Sequence, residues 1–150
     1  MSTPNRSISD AVAAVMRGGD GRFLMQLRDA RPDIWYPGVW GCFGGALDAG
    51  ESPIEALRRE LKEELEFELR DAVPISRFEF DLRSVGLGRY FRAYYLVTLE
   101  DADFRRLVLH EGQSMETFSY EELASGIPVT PYDAFAIHLF YGQATGAIRG

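Results

Sequence analysis

The sequence has little of several features that mark particular classes of protein. Its 150 residues include one cysteine, Cys42, which leaves no internal disulfide framework and favours a reducing compartment. Sixteen basic residues against 23 acidic ones give a net charge of −7, the wrong sign for a protein that coats nucleic acid. No apolar run approaches the roughly 18 residues of a membrane span, and the first residues are too polar for a signal peptide. We therefore expect a cytoplasmic protein, with neither a nucleic-acid polymer nor a membrane as its partner.

What the sequence does contain is ordinary for a globular protein. Apolar residues make up 46% and charged residues 26% of the chain. A chain of this length is about enough for one hydrophobic core. We predict a flexible tail over residues 1–8 and one domain over residues 9–150, as a monomer or a homodimer.

Hydrophobic periodicity and turn residues divide the chain into strands and helices. A glycine-rich turn at residues 18–21 joins two apolar runs into a predicted hairpin. Further strands are expected at residues 40–45, 75–83, 90–99, 104–109 and 115–118, and helices at residues 52–65, 120–124 and 131–141. Strands on both sides of a central helix, followed by a closing helix, predict an α/β sandwich with a mixed sheet.

The predicted central helix carries an unusual group of acidic residues. Ser52 and Glu55 form a capping box at its start, and Pro53 suits the first helical position. A stripe of leucines faces the core, while three carboxylates share a separate arc: Glu60, Glu63 and Glu64. Such an arc is commonly a solvated acidic face. Its approach through Gly44-Gly45 favours the alternative, a site for a hard cation such as Mg²⁺.

Residues 45–67 resemble the Nudix box, a motif of the form Gly, five residues, Glu, seven residues, Arg-Glu-apolar-any-Glu-Glu-any-Gly-apolar. The matching residues include Gly45, Glu51 and Arg59 as well as the three glutamates, and all but one of the specified positions agree. Leu27-Arg28-Asp29, Trp40-Gly41 and Gly44-Gly45 also resemble the family's usual approach to its box. The resemblance implies a Nudix-type α/β/α sandwich around a central mixed sheet.

The resemblance also implies an activity and a set of site residues. Nudix hydrolases cleave the phosphoanhydride of a nucleoside diphosphate linked to another group, with divalent metal ions. By this pattern Glu60, Glu63 and Glu64 hold Mg²⁺, with Mn²⁺ as the alternative ion, helped by the carbonyl of Gly44. Arg59 orients Glu60 through an ion pair. Glu51 braces the loop against the helix, and Gly45 is structural.

Two further matches lie outside the box. Residues 109–116 resemble a mobile loop of MutT-type members, so Glu111 is a candidate further ligand or general base, with Glu60 as its rival for the second role. Asp133, after Pro131-Tyr132, occupies the place of a base-recognising side chain in some nucleoside-triphosphate members. An N-terminal helix carboxylate is the alternative for Asp133.

Residues outside these motifs give weaker indications of function. Arg28 is a candidate phosphate ligand or a surface arginine, and Trp35, Tyr36 and Tyr90 are candidates to stack on a base. Cys42 fits a small packed side chain better than a nucleophile, since no basic residue adjoins it in sequence. His110 and His138 lack partners at metal-ligand spacing, which predicts structural roles for both.

These matches predict a pyrophosphohydrolase whose substrate is a small nucleotide. The Glu111 loop and Asp133 favour nucleoside triphosphates, oxidised ones included, with nucleotide sugars next. Leu82 stands where ADP-ribose hydrolases often carry a proline. Two alternatives are a nucleotide-sensing domain that does not cleave, and a relative of isopentenyl-diphosphate isomerase.

One residue departs from the box. Glu66 stands where the motif carries glycine, the residue that usually ends this helix in a left-handed conformation. The apolar stripe stops at Leu65, so we predict that the helix ends at about Glu66, which then adopts that conformation at a cost to stability rather than to chemistry.

Overall fold

A computed structural model describes residues 8–146, so the predicted tail lies outside the described residues except for Ile8. The strands and helices occur in this order: β1 Ala11–Gly18, β2 Phe23–Leu27, β3 Trp40–Gly41, β4 Phe43–Ala46, α1 Pro53–Leu65, β5 Val73–Asp81, β6 Arg89–Leu99, α2 Asp101–Phe104, β7 Ser114–Phe118, α3 Tyr120–Leu123 and α4 Pro131–Thr145. Within this part of the chain, no helix has the length and apolar character to cross a membrane.

A mixed sheet in the strand order β3-β2-β1-β6-β5 forms the centre of the fold, with β4 pairing to β1 and β7 to β2. β1 runs parallel to β6 over eight residue pairs, from Ala11 opposite Arg92 to Gly18 opposite Leu99, and every other pairing between these strands is antiparallel. This arrangement confirms the predicted mixed sheet of an α/β fold.

Both faces of β1 are covered, which explains its unbroken apolar sequence. Val12 and Ala14 face the cluster that α1 completes, whereas Ala13 and Val15 face the cluster beneath α4. Alternate residues of a strand point to opposite faces, so one strand supplies both halves of the core. The leucine stripe of α1 is fully buried on its side of the sheet.

The first turn and the end of α1 follow from local side-chain chemistry. Ser52 accepts a hydrogen bond from the Glu55 backbone N–H, and the Glu55 carboxylate accepts one from the Ser52 N–H, completing the predicted capping box. At the other end Glu66 has φ 54° and ψ 30°, the left-handed conformation that the sequence predicted for it. The predicted end of the helix is therefore confirmed.

Most of the predicted elements are confirmed, the strand expected at residues 40–45 is divided into β3 and β4, and one element is wrong. The hairpin, the paired strands β5 and β6, strand β7, the turn α3 and the closing helix α4 all form, with α4 continuing to Thr145. The strand expected at residues 104–109 does not form. A capping box between Glu100 and Asp103 starts the short helix α2 there instead. Phe104 at the end of α2, and Leu107 and Leu109 in the irregular backbone beyond it, pack on the α1 side of the core, and their apolar spacing alone does not distinguish this segment from a strand.

Candidate active site

Three carboxylates, two from α1 and one from the loop before β7, lie close together. Glu60 and Glu64 lie one turn apart on α1, and Glu111 reaches them from the loop before β7. One carboxylate oxygen of each lies within 4.8 Å of the other two. Like charges at this separation repel, so the cluster favours a bound cation or a retained proton.

Glu64 is the most enclosed of the three, with 4% of its surface exposed. Its Oε2 accepts a hydrogen bond from the Gly44 N–H at 3.1 Å. Burial raises the pKa of the Glu64 carboxyl to about 10, and the neighbouring carboxylates of Glu111 and Glu60 add to the rise. Among the described residues, no arginine or lysine forms a hydrogen bond to Glu64 or Glu111.

The two glycines before the helix make room for the cluster. A Cβ at Gly45 would lie 2.5 Å from Glu60 Oε1, and one at Gly44 would collide with the Val12 carbonyl. Gly44 also has φ 148°, a conformation that other residues rarely adopt. Gly44-Gly45 therefore lets β4 lie directly against both β1 and the Glu60 carboxylate.

Arg59 joins the loop between β4 and α1 to the helix. Its Nε and Nη2 donate to the two carboxylate oxygens of Glu51, each at 2.8 Å, and Nη2 also donates to the Ala46 carbonyl at 3.0 Å. Nη1 donates to Glu60 at 3.0 Å. The Arg59 guanidinium lowers the pKa of Glu51 to about 2. Burial raises the pKa of Glu60, and the same guanidinium limits that rise.

Glu63 occupies a different position from the other two helix glutamates. Its side chain is 59% exposed and accepts a hydrogen bond from Arg59 Nη1 at 3.3 Å, outside the cluster of three. A shared arc on a helical wheel groups the three glutamates, but the sheet covers only the side on which Glu64 lies.

The loop that carries Glu111 is held by amide side chains. Buried Gln26 donates to the Glu111 carbonyl at 2.8 Å, and Gln113 donates from its side chain to the Arg28 carbonyl at 2.9 Å. The His110 N–H donates to the Glu64 carbonyl at 2.8 Å, while the His110 ring bonds to the Glu66 carboxylate at 2.7 Å. Sequence reasoning missed Gln26, since an amide in a strand carries no motif of its own, and it included Gln113 in the loop motif without predicting its hydrogen bond.

A cleft of about 440 Å³ opens beside the carboxylates, within the range of sites for small ligands. Gly44, Gly45 and Glu111 border it at the acidic end. Its walls include the three aromatic residues that sequence analysis singled out, together with others: Trp35, Tyr36, Tyr90, Phe91 and Tyr132. Arg28 and Arg92 supply positive charge, and Arg28 Nε also donates to the Trp35 carbonyl at 3.1 Å.

Asp133 lies beneath this cleft, at the start of α4, with 1% of its surface exposed. One carboxylate oxygen accepts hydrogen bonds from the Cys42 N–H and the Thr130 hydroxyl, and the other from Tyr94 and Arg92. All these partners are protein groups. A direct contact between Asp133 and a base would therefore have to displace one of them.

The surroundings of Cys42 and His138 indicate that both residues have structural roles. Cys42 is buried, and burial raises the pKa of its thiol well above the usual value. The His138 ring bonds to the Tyr120 hydroxyl at 2.7 Å and stacks on that residue.

The chemistry of the cluster fits a divalent cation. Carboxylate oxygens are the ligands that hard cations prefer, and here three of them converge at the end of an open cleft. The excess negative charge around Glu64 is what a cation would balance.

The model of the NUDIX domain family matches residues 8–139, so the chain belongs to the Nudix hydrolase family. A CTP pyrophosphohydrolase of Escherichia coli (strain K12) is 30% identical over 132 residues, which cover 87% of this chain and 90% of that protein. An RNA pyrophosphohydrolase of Gluconacetobacter diazotrophicus is 42% identical over 57 residues, 36% of this chain and 34% of that protein. The chain thus spans about a third of that relative's length.

The solved structure of the E. coli ORF135 protein has the same fold. It matches with a TM-score of 0.72 and 24% identity, and the match covers 100% of both chains.

Proposed function

We propose that the protein hydrolyses the phosphoanhydride of a nucleoside triphosphate, with a divalent cation held by Glu60, Glu64 and Glu111. The convergence of these carboxylates at the end of an aromatic cleft carries the proposal. The name of the E. coli relative, a CTP pyrophosphohydrolase, agrees with a triphosphate substrate. Oxidised nucleoside triphosphates belong to the same proposed class, and nucleotide sugars are the next candidate substrates.

In this mechanism each carboxylate is held in place by a different group. Arg59 fixes Glu60, the Gly44 N–H fixes Glu64, and Gln26 fixes the backbone at Glu111. Bound Mg²⁺ or Mn²⁺ would neutralise the phosphate oxygens and lower the pKa of a water molecule that attacks phosphorus. The Gly44 carbonyl and Glu63, which lies outside the cluster of three, are the further proposed ligands.

Glu111 and Glu60 are the two candidates to accept the proton of the attacking water. Glu111 is on a loop and has no hydrogen-bonded cation among residues 8–146, whereas the Glu60 carboxylate is engaged by Arg59. Because Glu111 borders the cleft and is not held by Arg59, we assign this role to Glu111.

The burial of Cys42 argues against the isomerase-like alternative. That chemistry would need a reactive cysteine, and burial disfavours the thiolate here. Arg28, which lines the cleft, is the proposed contact for a phosphate of the substrate.

The proposal is tested with a panel of nucleoside triphosphates and nucleotide sugars in Mg²⁺, with released phosphate measured after phosphatase treatment. We expect turnover that EDTA abolishes. Glu64→Gln should lower kcat by at least about a hundredfold while the protein stays folded, because loss of even an outer-shell partner of a metal site costs about 10–100-fold in affinity or activity, and Glu64 is a proposed direct ligand. Near-normal turnover by this variant would contradict the assignment.

Glu111→Gln separates the role of a base from that of a passive surface residue. We expect kcat to fall much more than the apparent substrate affinity, since the carboxylate acts on the attacking water. The matched control is Glu116→Gln, on β7 of the same segment and outside the cluster. Unchanged kcat for Glu111→Gln across pH would contradict the role.

A further inference from the structure

Arg92 on β6 is held unusually firmly for an arginine that borders a cleft. Its Nε donates to the Tyr94 hydroxyl at 2.8 Å and its Nη2 to Asp133 at 3.2 Å. Tyr94 itself donates to the same Asp133 oxygen at 2.6 Å, which closes a three-membered ring of hydrogen bonds. The guanidinium also packs over the ring of Tyr132, with 4.5 Å from Cζ to the ring centroid. Its position is fixed before any ligand arrives.

This arrangement leaves part of the guanidinium free. Of its five N–H donors, two are used by Tyr94 and Asp133. Nη1 donates to no protein atom within residues 8–146, and it is not enclosed, since Ser76 Oγ is the one buried polar side-chain atom without a partner in that part of the chain. Because Arg92 borders the cleft, the free edge of the guanidinium is available to a ligand there.

The surroundings of that edge suit a flat ring. Tyr36 meets Tyr132 edge to face at 5.7 Å between ring centroids, and Trp35 and Tyr90 complete the aromatic border of the cleft. Aromatic walls stack on nucleobases, and an arginine edge offers two parallel N–H groups to neighbouring acceptors.

Resting on the proposed function, we propose that Arg92 selects the base of the substrate, and that it accepts bases with two adjacent hydrogen-bond acceptors on one edge. Guanine offers O6 beside N7, and cytosine offers O2 beside N3. Adenine places its amino donor beside N7, and uracil separates its carbonyls with an N–H. Asp133 and Tyr94 are positioning residues, which act on the base through Arg92.

The test compares kcat/KM for GTP, CTP, ATP and UTP in Mg²⁺. We expect the wild-type protein to favour GTP or CTP over ATP and UTP by about tenfold or more, the discrimination typical of one bidentate contact. If GTP is the better substrate, 7-deaza-GTP, which lacks the N7 acceptor, should lose most of that advantage. If CTP is better, the deaza analogue and GTP should be equally poor.

Variants then assign the preference to Arg92. Arg92→Gln should reduce the ratio of kcat/KM between the best and worst bases to within about threefold. Arg92→Lys should recover little of the base preference, since an ammonium lacks the planar fork of a guanidinium. Tyr94→Phe should narrow the ratio in part while preserving packing. The matched control is Arg89→Gln, on the same strand but bonded to Asp81 outside this cleft, which should keep the wild-type ratio.

Binding of the non-hydrolysable α,β-methylene triphosphates, measured by calorimetry, separates this proposal from the proposed function. A base preference in binding without any turnover would overturn the hydrolytic function and support the role of Arg92. An equal loss of affinity for all four bases in Arg92→Gln would make Arg92 a phosphate contact and overturn the proposal. So would a wild-type protein with no base preference.

Discussion

Glu64 combines properties that conflict when no cation is bound. It is buried, it lies beside two other carboxylates, and its pKa is raised to about 10 against an ordinary value of 4.5. A folded-state pKa above the unfolded one means that the folded protein holds the proton more tightly. The stability this group contributes is therefore present below about pH 4.5 and is lost as the pH rises towards 10.

We expect Glu64→Gln to stabilise the protein in EDTA while it removes activity. The amide needs no proton, so the gain should grow with pH and reach on the order of 1–3 kcal/mol near pH 8. Thermal unfolding at pH 5, 7 and 9 measures it, with Glu63→Gln, an exposed carboxylate on the same helix, as the control. Equal melting temperatures for Glu64→Gln and wild type at every pH would show that the buried Glu64 carboxylate does not destabilise the metal-free protein.

Single residues of the site differ in how well the sequence predicts them. Glu60, Glu64 and Glu111 could be proposed because a spaced motif names them. Arg92 and Gln26 could not, since a strand's period gives only the face on which a side chain lies. Arg92 is positioned by its hydrogen bond to Asp133, which lies on α4 and is 41 residues distant in sequence.

At the scale of elements, the end of α1 shows two opposing effects. Glu66 adopts the left-handed conformation, and its N–H and that of Phe67 bond to the Lys62 and Leu61 carbonyls at 3.0 and 3.2 Å, which closes the last turn. The conformation costs about 1 kcal/mol in any residue but glycine. In return, the Glu66 carboxylate bonds to His110, in the loop that carries Glu111, although both side chains are about half exposed.

Glu66→Gly should raise the free energy of unfolding by up to about 1 kcal/mol, because the exposed hydrogen bond to His110 contributes less than the strain removed. Turnover should stay within a few-fold of wild type. Urea unfolding measures the change, with Glu66→Ala as the control that loses the hydrogen bond to His110 but keeps a side chain in the left-handed conformation. A clear loss of stability in the glycine variant would show that the bond to His110 outweighs the strain.

Elements whose signals are local were predictable, and those that depend on distant contacts were not. Ser52, Pro53 and Glu55 define the start of α1 within four residues. Residues 104–109 have the apolar content of a strand but no neighbouring strand to pair with. The sheet partner is what decides such a segment, and periodicity does not supply it.

For the whole molecule, the position of β1 has a consequence for how the chain is made. β1 lies in the middle of the sheet and pairs along its length with β6, which is separated from it by about half of the described chain. As the chain leaves the ribosome, the hairpin of β1 and β2 can form early, but one edge of β1 stays unpaired until residue 99 has emerged. Contacts so distant in sequence form slowly, and an apolar strand with an open edge is prone to pair with other chains. The strand that forms the core of the finished domain is thus the part of the nascent chain most in need of a chaperone.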